Sequence, residues 1–274
     1  MTVLTARSHP TVARFRDTRD GRDKRSLLVE GRRLLEEFLD SPLTPREAAV
    51  TPSVAADAQI APLLEALKER GAPVHLVTPS VMEFLSDLET PPGIAVRAER
   101  PGPLDLASLS ALGSPPPLLV LLDALQSPAN VGAVLRSAEA GGASAVGVLP
   151  GTADPLSPKA LRASAGSAFR VPLFRAESVP SLMALFPTPP AVLVADAAGS
   201  RTYSQWDWRT PCLLILGGEA RGVTPESLGT LTVQRIKIPM AGRVESLNVA
   251  VAAGILLIEA RRQRALGHDE TVTA

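Results

Sequence analysis

The chain alternates short, uninterrupted apolar runs with longer stretches whose apolar positions recur every three or four residues. The clearest run is LLVLL at 118–122, ended by Asp123. Unbroken apolarity over that length marks a strand buried on both faces, as in a parallel sheet covered by helices. A polar loop follows, and 131–140 has the period of a helix, stopped by Gly141-Gly142. Asn130 stands where an N-cap belongs. The alternation continues, predicting strands at 145–148, 171–174, 191–195, 212–216 and 235–238 and helices at 158–165, 179–186, 225–229 and 247–264. This is the pattern of an α/β domain built on a parallel sheet. From Val249 to Ile258 the last helix is apolar on nearly every side, which predicts burial all round and packing against a second subunit.

Upstream, strands are predicted at 26–29, 47–50, 74–77 and 94–96, with helices at 32–39, 58–70 and 80–88. These make a smaller α/β unit over 1–98. Residues 99–117 carry prolines and glycines at both ends and read as a linker. The larger unit then spans 118–266, and 267–274 forms a frayed tail.

Composition narrows the classes. At 274 residues and 45% apolar content, two domains with proper cores are within reach. Lys and Arg balance Asp and Glu at 28 each, so whole-chain charge argues neither for nor against nucleic acid; local clustering must decide. One cluster exists. Arg7, Arg14, Arg16, Arg19, Arg22, Lys24, Arg25, Arg32 and Arg33 crowd the N-terminal stretch, partly offset by Asp17, Asp20 and Asp23. It reads either as an exposed helix of mixed charge or as a phosphate-contacting arm. The single cysteine, Cys212, permits no internal disulfide and no zinc spacing exists, which fits a reducing cytosol. The first residues show no secretory pattern, and 247–258 is too short to span a membrane.

Four stretches carry candidate chemistry. Arg136 lies six residues beyond Asn130, in the second turn of its predicted helix, where a cation opposes the dipole. It therefore reaches solvent or holds an anion. LRASAGSAF at 161–169 has small residues that let another backbone come close. LILGGEARGV at 214–223 ends a strand in Gly217-Gly218, followed by Glu219. It lacks the G-x-G-x-x-G spacing and the distal ribose acid, which argues against a nicotinamide-dependent oxidoreductase. In IPMAGRVESLNVAVAAG at 238–254, Ser246 is placed as a helix cap, and the Asn248 amide in an apolar helix start needs a partner.

Taken together, N-x-G-x-x-x-R after a buried strand, then L-G-G-E-x-x-G, then I-P-M-x-G-x-x-x-S-L-N-V, resemble the SpoU class of RNA ribose 2′-O-methyltransferases in the SPOUT superfamily. LLVEGRRLLEE at 27–37 is similar to the substrate-binding domain these enzymes often carry, which is related to ribosomal proteins that bind kinked RNA. The resemblance implies a C-terminal trefoil knot, a homodimer, a cytoplasmic setting and S-adenosyl-L-methionine as cofactor, with no metal. It implies a structured RNA substrate, ribosomal RNA favoured over transfer RNA. A non-catalytic RNA-binding or assembly protein on the same fold is the alternative. By the same likeness Asn130, Arg136, Glu219, Ser246 and Asn248 form the catalytic end. Gly217, Gly218, Ile238, Met240, Ser246 and Leu247 form the cofactor pocket. One position departs from the pattern: the family commonly has Asn where this chain has Gly218, which leaves only a backbone role there. His9 and His75 fall in the first domain and His268 in the tail, so no histidine is placed to take the ribose proton. The resemblance leaves Arg136 as either base or electrostatic clamp, and a guanidinium resists deprotonation.

Overall fold

A computed structural model describes residues 2–109, 116–219 and 221–269. In chain order the elements of the N-terminal part are α1 (Pro10–Arg19), β1 (Ser26–Glu30), α2 (Arg32–Leu39), β2 (Pro45–Val50), α3 (Pro52–Ala55), α4 (Ala61–Glu69), β3 (Val74–Leu76), α5 (Pro79–Leu85) and β4 (Ile94–Glu99). There follow α6 (Leu106–Leu109), β5 (Leu118–Asp123), α7 (Pro128–Ala140), β6 (Ala145–Val148), α8 (Pro158–Ser164), β7 (Leu173–Arg175), α9 (Val179–Met183), β8 (Ala191–Ala195) and β9 (Arg201–Thr202). The chain closes with β10 (Cys212–Gly217), α10 (Pro225–Leu228), β11 (Gln234–Lys237) and α11 (Val249–Asp269). The tail expected after Gly267 is still helical to Asp269, and from residue 270 onward it lies outside the described residues.

Two compact units result: Met1–Gly102 with Pro155–Phe169, and Pro103–Asp154 with Arg170–Ala274. In the first, a four-stranded sheet has the order β1-β4-β2-β3. β4 runs antiparallel to β1 and β2, and β3 pairs parallel with β2. The arginine-dense stretch becomes α1, and it is neither wholly solvated nor a free arm. Its Val12 and Phe15 are buried with Leu28, Ala49, Val81 and Leu85. The 161–169 segment packs within this unit. Gly166 has φ +90°, and a Cβ there would lie 2.6 Å from a Glu37 carboxylate oxygen. Phe169 meets Phe38 edge to face with centroids 5.7 Å apart. The close backbone approach expected of these small residues is therefore made to α2.

The second unit holds seven parallel strands in the order β7-β6-β5-β10-β8-β11-β9. β5 is buried along its whole length, as its apolar run predicts. Part of the stretch that reads as a linker docks here through the short α6: Leu109 is buried in this core, with Leu104 and Leu106 packed against it. Residues 110–115 of that linker lie outside the described residues. The sheet order reverses beside β5. From β5 the chain moves out through β6 and β7, then returns across the sheet so that β10 enters between β5 and β8. Such a switch point leaves a crevice at the carboxyl ends of the strands.

Val251 and Ile258 are about half exposed, so within one chain α11 leaves part of its apolar surface uncovered. No helix among the described residues is long and apolar enough to cross a membrane.

Candidate active site

The crevice is a cavity of about 520 Å³, in the range that takes a cofactor-sized ligand. The carboxyl ends of three neighbouring strands build it. β8 ends in Ala195 and Asp196, β10 in Leu216 and Gly217, and β11 leads into Ile238 and Met240. Ser246, Leu247 and Asn248 line it from the segment before α11, and Leu256 from α11 itself. All six positions expected to hold the cofactor, Gly217, Gly218, Ile238, Met240, Ser246 and Leu247, lie on this lining.

Its shape depends on backbone packed against backbone. A Cβ on Gly217 would fall 2.1 Å from the carbonyl carbon of Gly222, and one on Gly218 would fall 2.6 Å from the Ala124 carbonyl oxygen. Gly222 turns the loop with φ +65° and donates its amide to the Gly218 carbonyl at 2.9 Å. Asp123, buried at the end of β5, pins the exit of this loop. Its carboxylate accepts from the Thr224 amide at 2.8 Å, the Thr224 hydroxyl at 3.1 Å and the Ser227 hydroxyl at 2.7 Å.

Three of the expected catalytic residues form one hydrogen-bonded chain. The Asn130 side-chain amide donates to Glu219 at 2.5 Å, and Asn248 donates to the Asn130 carbonyl oxygen at 3.3 Å. Asn248 thereby has the partner its amide required. Both helix starts differ from expectation. α7 is capped by Ser127, whose hydroxyl accepts from the Asn130 amide, so Asn130 sits inside the first turn with its side chain free to reach Glu219. α11 is capped by Asn248, which accepts from the Ala250 amide at 2.9 Å, and Ser246 instead lines the cavity. The helix start moves by three residues in α7 and by two in α11, shifts that periodicity does not resolve.

Arg136 falls elsewhere. Because α7 begins at Pro128, Arg136 lies in its third turn rather than its second, and the expected opposition to the helix dipole lapses. Six helical residues turn about 240°, so it shares no face with Asn130. It is exposed and is absent from the cavity lining.

The sequence reading missed Asp123, Asp196, Arg221 and Arg235. Asp196 pairs with Arg235 at 2.5 Å and accepts from the Ala198 amide, with both side chains on the cavity wall. Burial pushes the Asp196 carboxyl up, but the Ala198 amide and Arg235 outweigh it and hold it below the ordinary aspartate value. A signal existed: Asp123 and Asp196 each follow an apolar strand run directly, where a parallel sheet collects ligands.

The cavity suits S-adenosylmethionine chemically. Val194, Leu216 and Leu256 offer apolar wall, the glycine loops offer bare backbone, and Glu219 and Asp196 place carboxylates near any cationic ligand. Among the described residues no group of histidine, cysteine and carboxylate side chains is placed to hold a metal.

Comparison with known proteins agrees. Residues 117–258 match the model of the SpoU rRNA Methylase family, and residues 28–104 match the model of the RNA 2′-O ribose methyltransferase substrate-binding domain. An uncharacterised tRNA/rRNA methyltransferase of Synechocystis is 32% identical over 95% of this chain and 94% of its own. The 23S rRNA (guanosine-2′-O-)-methyltransferase of Salmonella typhi is 36% identical over 76% of this chain and 86% of its own. The SpoU methyltransferase AviRb of Streptomyces viridochromogenes, solved with AdoMet, superposes with a TM-score of 0.83 at 28% identity, covering 94% of this chain and 98% of that one. With its cavity at the carboxyl ends of β8, β10 and β11 and both family models matched in order, the chain belongs to the SpoU rRNA Methylase family.

Proposed function

We propose that this protein methylates a ribose 2′-hydroxyl in ribosomal RNA. The observation that carries the reading is the convergence of a cofactor-sized cavity with the Glu219–Asn130–Asn248 hydrogen-bond chain at one sheet edge. S-adenosylmethionine, when bound, supplies the electrophilic methyl group. The protein then has two tasks: to hold the ribose oxygen in line with that carbon, and to manage the charge as the hydroxyl proton departs. Holding two reactants together removes much of the barrier. Glu219, hydrogen-bonded to Asn130, is a carboxylate on the cavity wall that can meet the second demand. Arg136 serves as an electrostatic clamp on the substrate phosphate and on developing alkoxide charge, because a guanidinium does not give up its proton near neutrality.

Within one chain Arg136 is absent from the cavity lining, and this supports a dimer in which it completes the site of a second copy. α7 packs along α11, and α11 carries the half-exposed Val251 and Ile258. Those residues are the apolar surface such a dimer would cover. The reading also carries a trefoil knot in the C-terminal unit and a cytoplasmic setting. The name of the 23S rRNA methyltransferase relative favours ribosomal over transfer RNA.

The test is methyl transfer to 23S ribosomal RNA with labelled S-adenosylmethionine, beside a calorimetric titration of the cofactor. Arg136→Ala should abolish transfer and leave cofactor affinity within a few-fold. A near-normal single-turnover rate in that variant would remove Arg136 from the mechanism. No cofactor binding by the wild-type chain would favour a non-catalytic RNA-binding role.

A further inference from the structure

Three guanidinium groups of the N-terminal unit converge on one aromatic ring. Arg7, Arg16 and Arg19 lie 5.2, 5.9 and 5.9 Å from the centroid of Phe84 on α5. Arg19 also donates to the Phe84 and Ser86 carbonyls at the end of α5 and pairs with Asp20, which explains its place structurally. Arg7 and Arg16 are not explained that way. Arg7 donates to the Ser80 carbonyl at 3.4 Å, and among the described residues it has no carboxylate partner. Arg16 reaches Asp17 at 3.3 Å, while its Nε is buried without a hydrogen-bond partner.

The local charge balance is positive. Arg22 joins the group through Asp17 and Asp20, so three arginines share two carboxylates and Arg7 stands beside them without one; counting the exposed Glu83 on α5 still leaves an excess of cations. Crowding like charges costs free energy unless an anion gathers there, and the Phe84 ring lies within 6 Å of all three guanidinium carbons. Residues 7–19 lie outside 28–104, the stretch matched by the substrate-binding model.

We propose that the α1–α5 face of the N-terminal unit is an RNA phosphate-backbone site, in which Arg7 and Arg16, carried on Phe84, contact successive phosphates. This rests on the RNA-modifying role proposed above and adds a contact surface separate from the methyl-transfer cavity.

The experiment is titration of a fluorescein-labelled RNA hairpin with the full-length protein across a salt series. Each phosphate contact contributes about 0.7–0.9 to the slope of log K against log salt. Arg7→Ala with Arg16→Ala should therefore flatten the slope by roughly 1.5 and weaken binding at low salt by about tenfold or more. Arg7→Lys with Arg16→Lys should keep most of the slope. Cofactor affinity should be unchanged in both. Lys68→Ala, which removes a surface charge on α4, is the control and should leave the slope intact. An unchanged slope in the folded double-alanine variant overturns the proposal, as does an equal loss in Lys68→Ala. If the wild type binds the hairpin at no salt concentration, the RNA-modifying role itself fails. Binding of phosphatidylserine vesicles that competes with nothing on RNA, with an unchanged RNA slope, would assign the patch to lipid instead.

Discussion

At the scale of single residues, the cavity is set by two glycines that tolerate no side chain. Gly218 is the instructive one, because relatives of this class commonly carry Asn there. A Cβ at Gly218 would sit 2.6 Å from the Ala124 carbonyl oxygen, and Ala124 is itself in the left-handed region with φ 55°. The turn after β5 has taken the space that an asparagine side chain would need. Gly218→Asn should therefore displace either the Ala124 turn or the 217–223 loop, at a cost of about 1–3 kcal/mol for overpacking. The expected outcome is a melting temperature a few degrees lower and cofactor affinity weaker by at least about tenfold, since the same loop forms the cavity wall. Calorimetry with S-adenosylmethionine reads this directly. Wild-type affinity in the asparagine variant would show that the Ala124 turn yields freely.

At the scale of elements, α1 is fastened to the sheet of its unit through a buried ionic network. Arg97 on β4 contacts Glu47 on β2, Asp23, Ser26 and Thr18, and Arg14 on α1 grips both oxygens of Glu47 at 2.7 and 2.6 Å. Burial pushes the Glu47 carboxyl up, but hydrogen bonds and charge from Arg14 and Arg97 outweigh it and hold it below the ordinary value. For Asp23, burial again acts upward, and Ser26, Arg97 and the Arg25 amide bring it down to about 2. Carboxyls depressed in the folded state bind protons more readily when unfolded, so their stabilisation is complete above the unfolded value and is lost as pH falls through the folded one. Thermal stability should hold level above about pH 5 and fall between roughly pH 4 and pH 2. Glu30 opposes this in part, because burial raises its carboxyl, the charge of Arg162 notwithstanding. Arg97→Met should cost about 1.5–3 kcal/mol at pH 7, since it removes one of the two guanidinium groups on the buried Glu47 while Arg14 stays on both oxygens, and it should blunt the acid-limb slope. A pH series of melting curves checks both.

The contrast between the two units shows what a sequence discloses. Runs such as 118–122 and 212–216 give the parallel sheet, because burial on both faces leaves no polar position to confuse the period. Gly217-Gly218 stands out because the pair directly follows such a run, whereas Ile238, Met240, Ser246 and Leu247 follow a half-polar strand and are placed only by the likeness of their motif to the SpoU class. The capping residues were not, since Ser127 and Asn130, or Ser246 and Asn248, are both good caps and only tertiary partners choose between them. The ionic network was also hidden: Glu47, Arg97 and Asp23 are far apart in sequence, and nothing local marks Glu47 and Arg97 as buried.

At the scale of the whole molecule, the position of Arg136 and the exposed face of α11 point to one experiment. If two copies pair through α11, symmetry doubles any change made in the patch. Ile258→Lys, at a position 52% exposed in the single chain, should then leave a folded monomer by sedimentation, with methyl transfer lost and the melting curve little altered. Arg136 offers the sharper test. Arg136→Ala lacks the clamp but keeps its cavity, while Gly218→Asn keeps the clamp but binds cofactor weakly. At a cofactor concentration near saturation for the wild type and well below the Gly218→Asn dissociation constant, each should be nearly inactive alone. Should Arg136 act on the cavity of the second copy, a mixed dimer rebuilds one complete site from the two defective chains. Random exchange makes half the dimers mixed, so roughly a quarter of wild-type activity should return. Should Arg136 act within its own chain, neither half of the mixed dimer is complete and nothing returns. A mixture that stays inactive, although native mass spectrometry shows mixed dimers, would place the clamp in its own subunit and require that α7 bring Arg136 to the cavity only when RNA is bound.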